Sequence, residues 1–314
     1  MRLHGVRRGA PGANQRVLGD ATAGCGHAET AWIRAPVKVL LSGAQGVIGR
    51  RVAQSLQNRS DLDLISLVSV RTEPTGGGLA VDIGDSEAFR ASLEMIRPDV
   101  VVHLAALTGQ ACDLDRQRTQ HINVDSVDAL TSVARELGIS RIVFASTSAL
   151  YGDQYDEPVT ESAPIVLGSQ YARTKYAAER ILGDADGIET VSLRIFNVFG
   201  PGMLNSLVTQ LAESGPDRPV GLRGLDTFVR DYVHVDDVSD AIGTGLTAPL
   251  PHHHATFNIG SGVPTSNRRL LADLDIDLSR YTVFSAPSSY SCAQIDSARR
   301  WLDFQPSRGF GDLG

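Results

Sequence analysis

In Tyr171-Ala-Arg-Thr-Lys175, residue types and spacing together define a chemistry. A tyrosine and a lysine four residues apart on a helix share one face. A phenol titrates near ~10, so acting as a base at neutral pH requires about 4 kcal/mol of help. A neighbouring ammonium can supply part of it. The lysine carries weight because Lys38 and Lys175 are the only lysines among 29 basic residues. With seven tyrosines in 314 residues, chance gives such a pair about 0.04 times. Upstream, Phe144-Ala-Ser146-Thr147-Ser148 ends an apolar run in hydroxyls and precedes Tyr151-Gly152. One of these hydroxyls can bind a substrate oxygen and pass its proton towards Tyr171, while the others cap the following turn.

A second constellation is Gly43-Ala-Gln-Gly46-Val-Ile-Gly49, between Val37-Lys-Val-Leu-Leu41 and the helical spacing of Val47, Ile48, Val52 and Leu56. Glycines permit a tight turn, and a helix N-terminus offers N–H groups to a pyrophosphate. The spacing alone is weak, but its place after a strand and before a helix supports a dinucleotide site. An oxidised nicotinamide would then be the second positive charge near Tyr171, and the pair fits hydride transfer. The acid that usually binds ribose at the end of the second strand is absent. Val68-Ser69-Val70-Arg71 stands there. Arg71 either meets a 2′-phosphate, as in NADP, or is a solvated loop residue.

The elements that must position these groups follow from periodicity. Strands are expected at 37–41, 62–70, 100–104, 141–145 and 190–196, with helices at 47–56, 86–96, 124–137 and 171–182. Alternation with continuously apolar strands predicts an α/β fold, a Rossmann-type doubly wound parallel sheet covered on both faces. After Gly200 the pattern turns mixed and rich in Pro and Gly, which predicts a smaller C-terminal substrate lobe over 201–314. Segments near 228–262 are expected to return to the dinucleotide-binding domain of 37–200. Residues 1–36 have no apolar period and are expected to be a disordered leader; no apolar stretch follows Arg7-Arg8 to make an export signal.

Composition bounds the function. The chain is 42% hydrophobic and carries a net charge of −7, which argues against a nucleic-acid surface. No stretch approaches a membrane span. Three cysteines are too few for a disulfide scaffold or zinc cluster. His252-His-His254 cannot converge on one ion in a regular element and is expected in a solvated loop, so no metal site is expected. Cys112 and Cys292 are expected to be buried, and Asp236-Asp237 to cap a helix starting at Val238.

These residues together resemble the extended short-chain dehydrogenase/reductases of the NAD-dependent epimerase/dehydratase family, the group that includes UDP-glucose 4-epimerase. The resemblance spans 37 to about 306. It rests on the glycine loop, Asp82-Ile83, His103-Leu-Ala105-Ala106, Asn123, Ser146-Thr147-Ser148 before Tyr151-Gly152, and Tyr171-x-x-x-Lys175. It continues through Arg194-x-x-Asn197-Val-Phe-Gly200-Pro201, Arg230-Asp-Tyr-Val-His-Val-Asp-Asp237, Phe257-Asn-Ile-Gly-Ser261 and Asp296 to Pro306.

The resemblance implies NAD or NADP as cofactor, held by Gly43, Gln45, Gly46, Val47, Ile48 and Gly49, with Arg71 nearby. Asp82 and Ile83 would bind adenine, Leu104, Ala105 and Ala106 would line the channel, and Asn123 would be a further cofactor-binding residue. Thr147 would be the catalytic hydroxyl, Tyr171 the base, and Lys175 the group that holds the nicotinamide ribose. Ser148, Asn197 and Arg230 would meet the substrate, a nucleotide sugar. A cytoplasmic homodimer is implied. Two departures stand out. Ser148-Ala149 replaces the Asp-Glu of the 4,6-dehydratases, and Ala286 to Cys292 lacks the second phosphate-binding arginine of many epimerases. A redox epimerase is therefore expected, with a net dehydrogenase or reductase of a sugar or other secondary alcohol as the alternative, and a non-catalytic nucleotide sensor as a third.

Overall fold

Seven strands make the main sheet of the computed structural model, which describes residues 35–71, 78–214 and 220–313. They are β1 (Val37–Ser42), β2 (Leu62–Val68), β3 (Leu79–Ala80), β4 (Val100–His103), β5 (Arg141–Thr147), β6 (Glu189–Ile195) and β11 (His254–Ile259). Their spatial order is β11-β6-β5-β4-β1-β2-β3, and every pairing is parallel. Strand order reverses at β1, between β2 and β4, the kind of place where open parallel sheets bind ligands at their carboxyl ends.

The continuously apolar strands are explained by two covered faces. On β1, Val39 and Leu41 join one core cluster and Leu40 the other. On β4, Val100 and Val102 oppose Val101, and on β5, Val143 opposes Ile142 and Phe144. Successive strand side chains point to opposite faces, so neither face tolerates a polar alternation. Helices α1 (Val47–Gln57), α8 (Val235–Gly245) and α10 (Asp296–Leu302) cover the first face. Helices α2 (Ser86–Ile96), α5 (Ser126–Leu137) and α6 (Gln170–Gly183) cover the second. Caps end these helices where the side chains allow. Asp85 accepts from the N–H groups of Glu87 and Ala88, and Gly138 closes α5 in the left-handed region at φ 73°.

Between β4 and α5 lie two short helices, α3 (Ala111–Leu114) and α4 (Arg116–Gln120), and a π turn at His121–Asp125. The C-terminal part has its own small core of Phe199, Val208, Leu211, Leu222, Tyr232, Leu270 and Leu271. It is built from α7 (Leu207–Ala212), α9 (Asn267–Asp273) and short strands. β7 (Asn197–Phe199) pairs in parallel with β10 (Tyr232–His234), and β8 (Gly221–Arg223) with β13 (Thr282–Phe284). β9 (Phe228–Arg230) lies between β12 (Thr265–Ser266) and β14 (Ser289–Ser291). Pro36–Gly314 forms one compact unit. The expected leader over 1–36 lies outside the described residues except for Ala35 and Pro36, which are exposed.

Two local expectations are corrected. The helix expected at Val238 starts at Val235, and its cap is His234. His234 Nδ1 accepts from the Asp236 N–H at 3.2 Å, and its Nε2 donates to the Asp312 carbonyl at 3.0 Å. Asp236 and Asp237 instead lie in the first turn, where they pair with Arg51 and Arg308. His254 is not in a loop but opens β11, and it shares a hydrogen bond with Thr190.

Asp231 joins the connections around β9 and β10. It is fully buried, and its carboxylate accepts from Ser261 N–H and Oγ (2.6 and 2.7 Å), Gly262 N–H (2.9 Å) and Ala293 N–H (3.1 Å). Burial pushes its pKa up against these four donors. Replacing Asp231 by Ala strands them. A urea titration should show a loss of about 3–5 kcal/mol in unfolding free energy.

Candidate active site

The carboxyl ends of β1, β2 and β4 enclose a cavity of about 360 Å³. Gly43 takes φ +75°, and a Cβ on it would lie 2.7 Å from the Ala105 nitrogen. A Cβ on Gly49 would lie 2.1 Å from the Gly43 carbonyl oxygen. Only glycines let β1 turn into α1 this tightly. Gly46 is the N-cap of α1 and makes no side-chain cap, so the helix N-terminus faces the cavity region uncapped, as a pyrophosphate requires.

The cavity brings together Gly43, Gln45, Gly46, Arg71, Asp82, Ile83, Leu104, Ala105 and Ala106, all expected from the sequence. It also includes Ser69, beside Arg71 in the loop read from the sequence, and residues that periodicity and motif did not reveal, among them Leu107, Arg118 and Ile122. Arg118 matters most. Its guanidinium donates to both Asp82 oxygens at 2.8 Å, while its buried Nε has no partner. Burial pushes the Asp82 carboxyl up, but Arg118, the Gly84 N–H and the charge of Arg71 bring it below its ordinary value. The available sequence signal was the helical spacing from Arg118 to Ile122. A nucleotide with a diphosphate and an adenine fits this donor set and these apolar walls.

Val47, Ile48 and Gly49 form the first turn of α1 beside the loop. Asn123 is buried beside the cavity wall. Its amide donates to the Leu107 carbonyl (3.0 Å) and to Thr174 Oγ1 (3.1 Å), and its oxygen accepts from the Leu107 N–H (2.8 Å). It therefore ties the cavity wall to α6.

Helix α6 is capped by Ser169, whose side chain accepts from the Ala172 N–H, and packs on β5 and the turn Ser148–Leu150. This packing carries Tyr171 to Thr147. The Tyr171 ring is half-buried, and burial pushes its hydroxyl up to about 12, with a hydrogen bond to Thr147 acting downward. Thr147 Oγ1 also accepts from the Ala149 N–H. Lys175 is 2% exposed. Its Nζ donates to the Ala145 carbonyl at 2.7 Å and lies 4.3 Å from the Phe144 ring centroid. Burial pushes its ammonium down to about 7, opposed by Glu179. The expected lowering of the tyrosine is thus not produced by Lys175 alone, because desolvation dominates both groups.

On the lobe side, Arg230 sits over the Phe228 ring at 3.7 Å. It donates to the Ser289 carbonyl and Oγ (3.0 and 2.7 Å) and to Asp153 (3.4 Å). Asn197 donates to the Asp231 carbonyl at 2.9 Å, so two of the three expected substrate residues flank Asp231. The stretch without a second arginine contains β14, which supplies Ser289. Ser148 opens the short turn after β5. Among the described residues no helix is long and apolar enough to cross a membrane, and no cluster of three metal-ligating side chains occurs.

Residues 39–260 match the NAD dependent epimerase/dehydratase family. The UDP-glucose 4-epimerase of Streptomyces lividans is 30% identical over 268 residues, covering 74% of this chain and 79% of that protein. Among solved structures, MoeE5 in complex with UDP-glucose and NAD is 27% identical with a TM-score of 0.74, covering 88% of this chain and 96% of that one. The Thermus thermophilus UDP-glucose 4-epimerase complex with NAD gives the same values.

The close approach at Gly49 has a direct consequence. Gly49→Ala should weaken NAD binding at least about tenfold, read by fluorescence titration, with the circular dichroism of the fold retained.

Proposed function

Because the chain belongs to the NAD dependent epimerase/dehydratase family, we propose that it is an NAD-dependent epimerase of a nucleotide sugar, acting through a transient keto sugar. The observation that carries this reading is the placement of Thr147, Tyr171 and Lys175 on β5 and α6, tied to the dinucleotide cavity through Asn123. The relatives in hand act on or bind UDP-glucose, which makes a UDP-hexose the substrate class of this reading.

Tyr171 Oη takes the proton of the sugar hydroxyl, with Thr147 hydrogen-bonded to the same oxygen, and returns it when the carbonyl is reduced from its other face. Bound NAD supplies reversible hydride acceptance and, when oxidised, a positive charge that lowers the tyrosine pKa. Lys175, charged, would hold the nicotinamide ribose and add a second positive charge. The glycine loop from Gly43 to Gly49 would bind the pyrophosphate, Asp82 and Ile83 the adenine, and Leu104 to Ala106 the channel wall. Arg230 and Asn197 would hold the substrate diphosphate, with Ser148 near the sugar. Anchoring at the diphosphate leaves the keto sugar free to turn over, as inversion requires. Ser148-Ala149 offers no acid or base for dehydration. This reading divides the chain into a dinucleotide-binding part over 37–200 and a substrate lobe over 201–314, with segments near 228–262 returning to the first part as α8 and β11. It keeps the cytoplasmic homodimer that family resemblance implies.

One observation favours an exchanging cofactor and net reduction. The wall after β2 carries Ser69 and Arg71 rather than a ribose-binding acid. The two readings separate on the purified protein. Denaturation should release NAD(H) in stoichiometric amount; tight NADPH binding with no retained NAD(H) would favour the reductase instead. Tyr171→Phe should lower kcat by about 10³-fold or more and leave cofactor affinity within about threefold. Retained turnover would remove Tyr171 as the base.

A further inference from the structure

Arg194, Tyr151 and Asn258, from three sequence motifs, meet behind α6. Arg194 of Arg194-x-x-Asn197 donates through Nε and Nη2 to Glu179 at 3.0 and 2.7 Å. Its Nη1 donates to Tyr151 Oη at 2.8 Å and to the Glu161 carbonyl at 2.9 Å. Tyr151 of Tyr151-Gly152 donates to Asn258 Oδ1 at 2.7 Å, and the Asn258 amide donates to the Val159 carbonyl at 2.8 Å. All four side chains are buried.

A buried ion pair contributes little net stability, since desolvation offsets its attraction. Its position is more informative. Glu179 follows Lys175 by one helical turn, and both are buried on the same face of α6. The groups facing Lys175 are Glu179 on its own helix, Cys112 from α3, His103 from β4, and Phe144 with the Ala145 carbonyl from β5. Buried His103 is neutral at working pH, its pKa pushed down to about 3 by burial and by Lys175 itself. Burial also pushes the Cys112 thiol up. Of the charged groups in this set, Glu179 is the one that stabilises the ammonium.

We propose that Glu179 is a positioning residue of the reaction: clamped by Arg194, which Tyr151 and Asn258 brace in turn, it fixes a negative charge one turn from Lys175 and keeps that ammonium protonated. The proposal rests on the reading of Lys175 as the charged partner of Tyr171. It gives Tyr151, Arg194 and Asn258 a shared purpose, which is to hold one carboxylate still.

Only two lysines occur in the chain, so lysine-specific isotope labelling yields two ammonium signals, and Lys38→Arg identifies that of Lys175. In Glu179→Gln the NMR titration midpoint of Lys175 should fall by about one pH unit. Glu179→Asp should keep it nearer the wild type. The alkaline limb of kcat/KM should move the same way, because activity needs the protonated lysine. If Glu179→Gln does not fold, the double variant Glu179→Met with Arg194→Met removes both charges and strands neither, and a smaller fall in the same direction is expected, because the more distant guanidinium leaves with the carboxylate. A folded Gln or double variant with an unchanged Lys175 midpoint would overturn the proposal, even if its melting temperature dropped. Failure of Tyr171→Phe to lose activity would instead refute the base and leave this midpoint as it is.

Discussion

An ammonium held away from water constrains everything around it. Lys175 can stay buried only where a carbonyl and an aromatic face meet it together. The carbonyl belongs to Ala145 and the ring to Phe144, both on β5. Phe144 is in register with His103 of β4 and Ser192 of β6, so three strands fix where the acceptor lies. Helix α6 must then land at one rotation and one height. That landing also sets Tyr171 against Thr147.

The second centre of the molecule is reached from the first through one side chain. β1 and β4 part where the strand order reverses, and the cavity opens there. Asn123 spends its amide on Leu107 in the cavity wall and on Thr174 in α6. The cavity wall and α6 are thus one hydrogen-bonded body. The residue sits in a π turn, and the extra residue of that turn accompanies its inward reach.

Long amphipathic segments were legible in the sequence because their signal is local. The bounds of α2, α5 and α6 follow from apolar spacing, from the Gly138 stop and from Pro98 beyond the end of α2. The strands were legible for the opposite reason: two buried faces leave them no polar alternation. The lobe was harder. Its strands are two or three residues long, too short to carry a period, and β9 finds β14 only about sixty residues later. In the site, the glycine loop and the tyrosine–lysine pair were readable as spacings. Arg118 was not, because its partner Asp82 lies 36 residues away and neither residue type implies the other. Asn123 was seen, but its bonding could not be: both of its partners are set by tertiary structure. The lowered phenol pKa was argued from proximity, while burial of both members changes the balance.

Arg230 already has a counter-ion in Asp153, whose side chain is 60% exposed and which also accepts from Ser289 Oγ at 2.5 Å. An incoming anion would therefore replace a carboxylate rather than meet a bare cation. The released Asp153 is rehydrated at little expense, being already at the surface. Ion exchange of this kind gains less from long-range attraction than simple addition does, and it is correspondingly less weakened by dissolved salt. Selectivity at such a position comes from competition: a ligand must out-bond a resident carboxylate, which favours a diphosphate with several oxygens over a singly charged group.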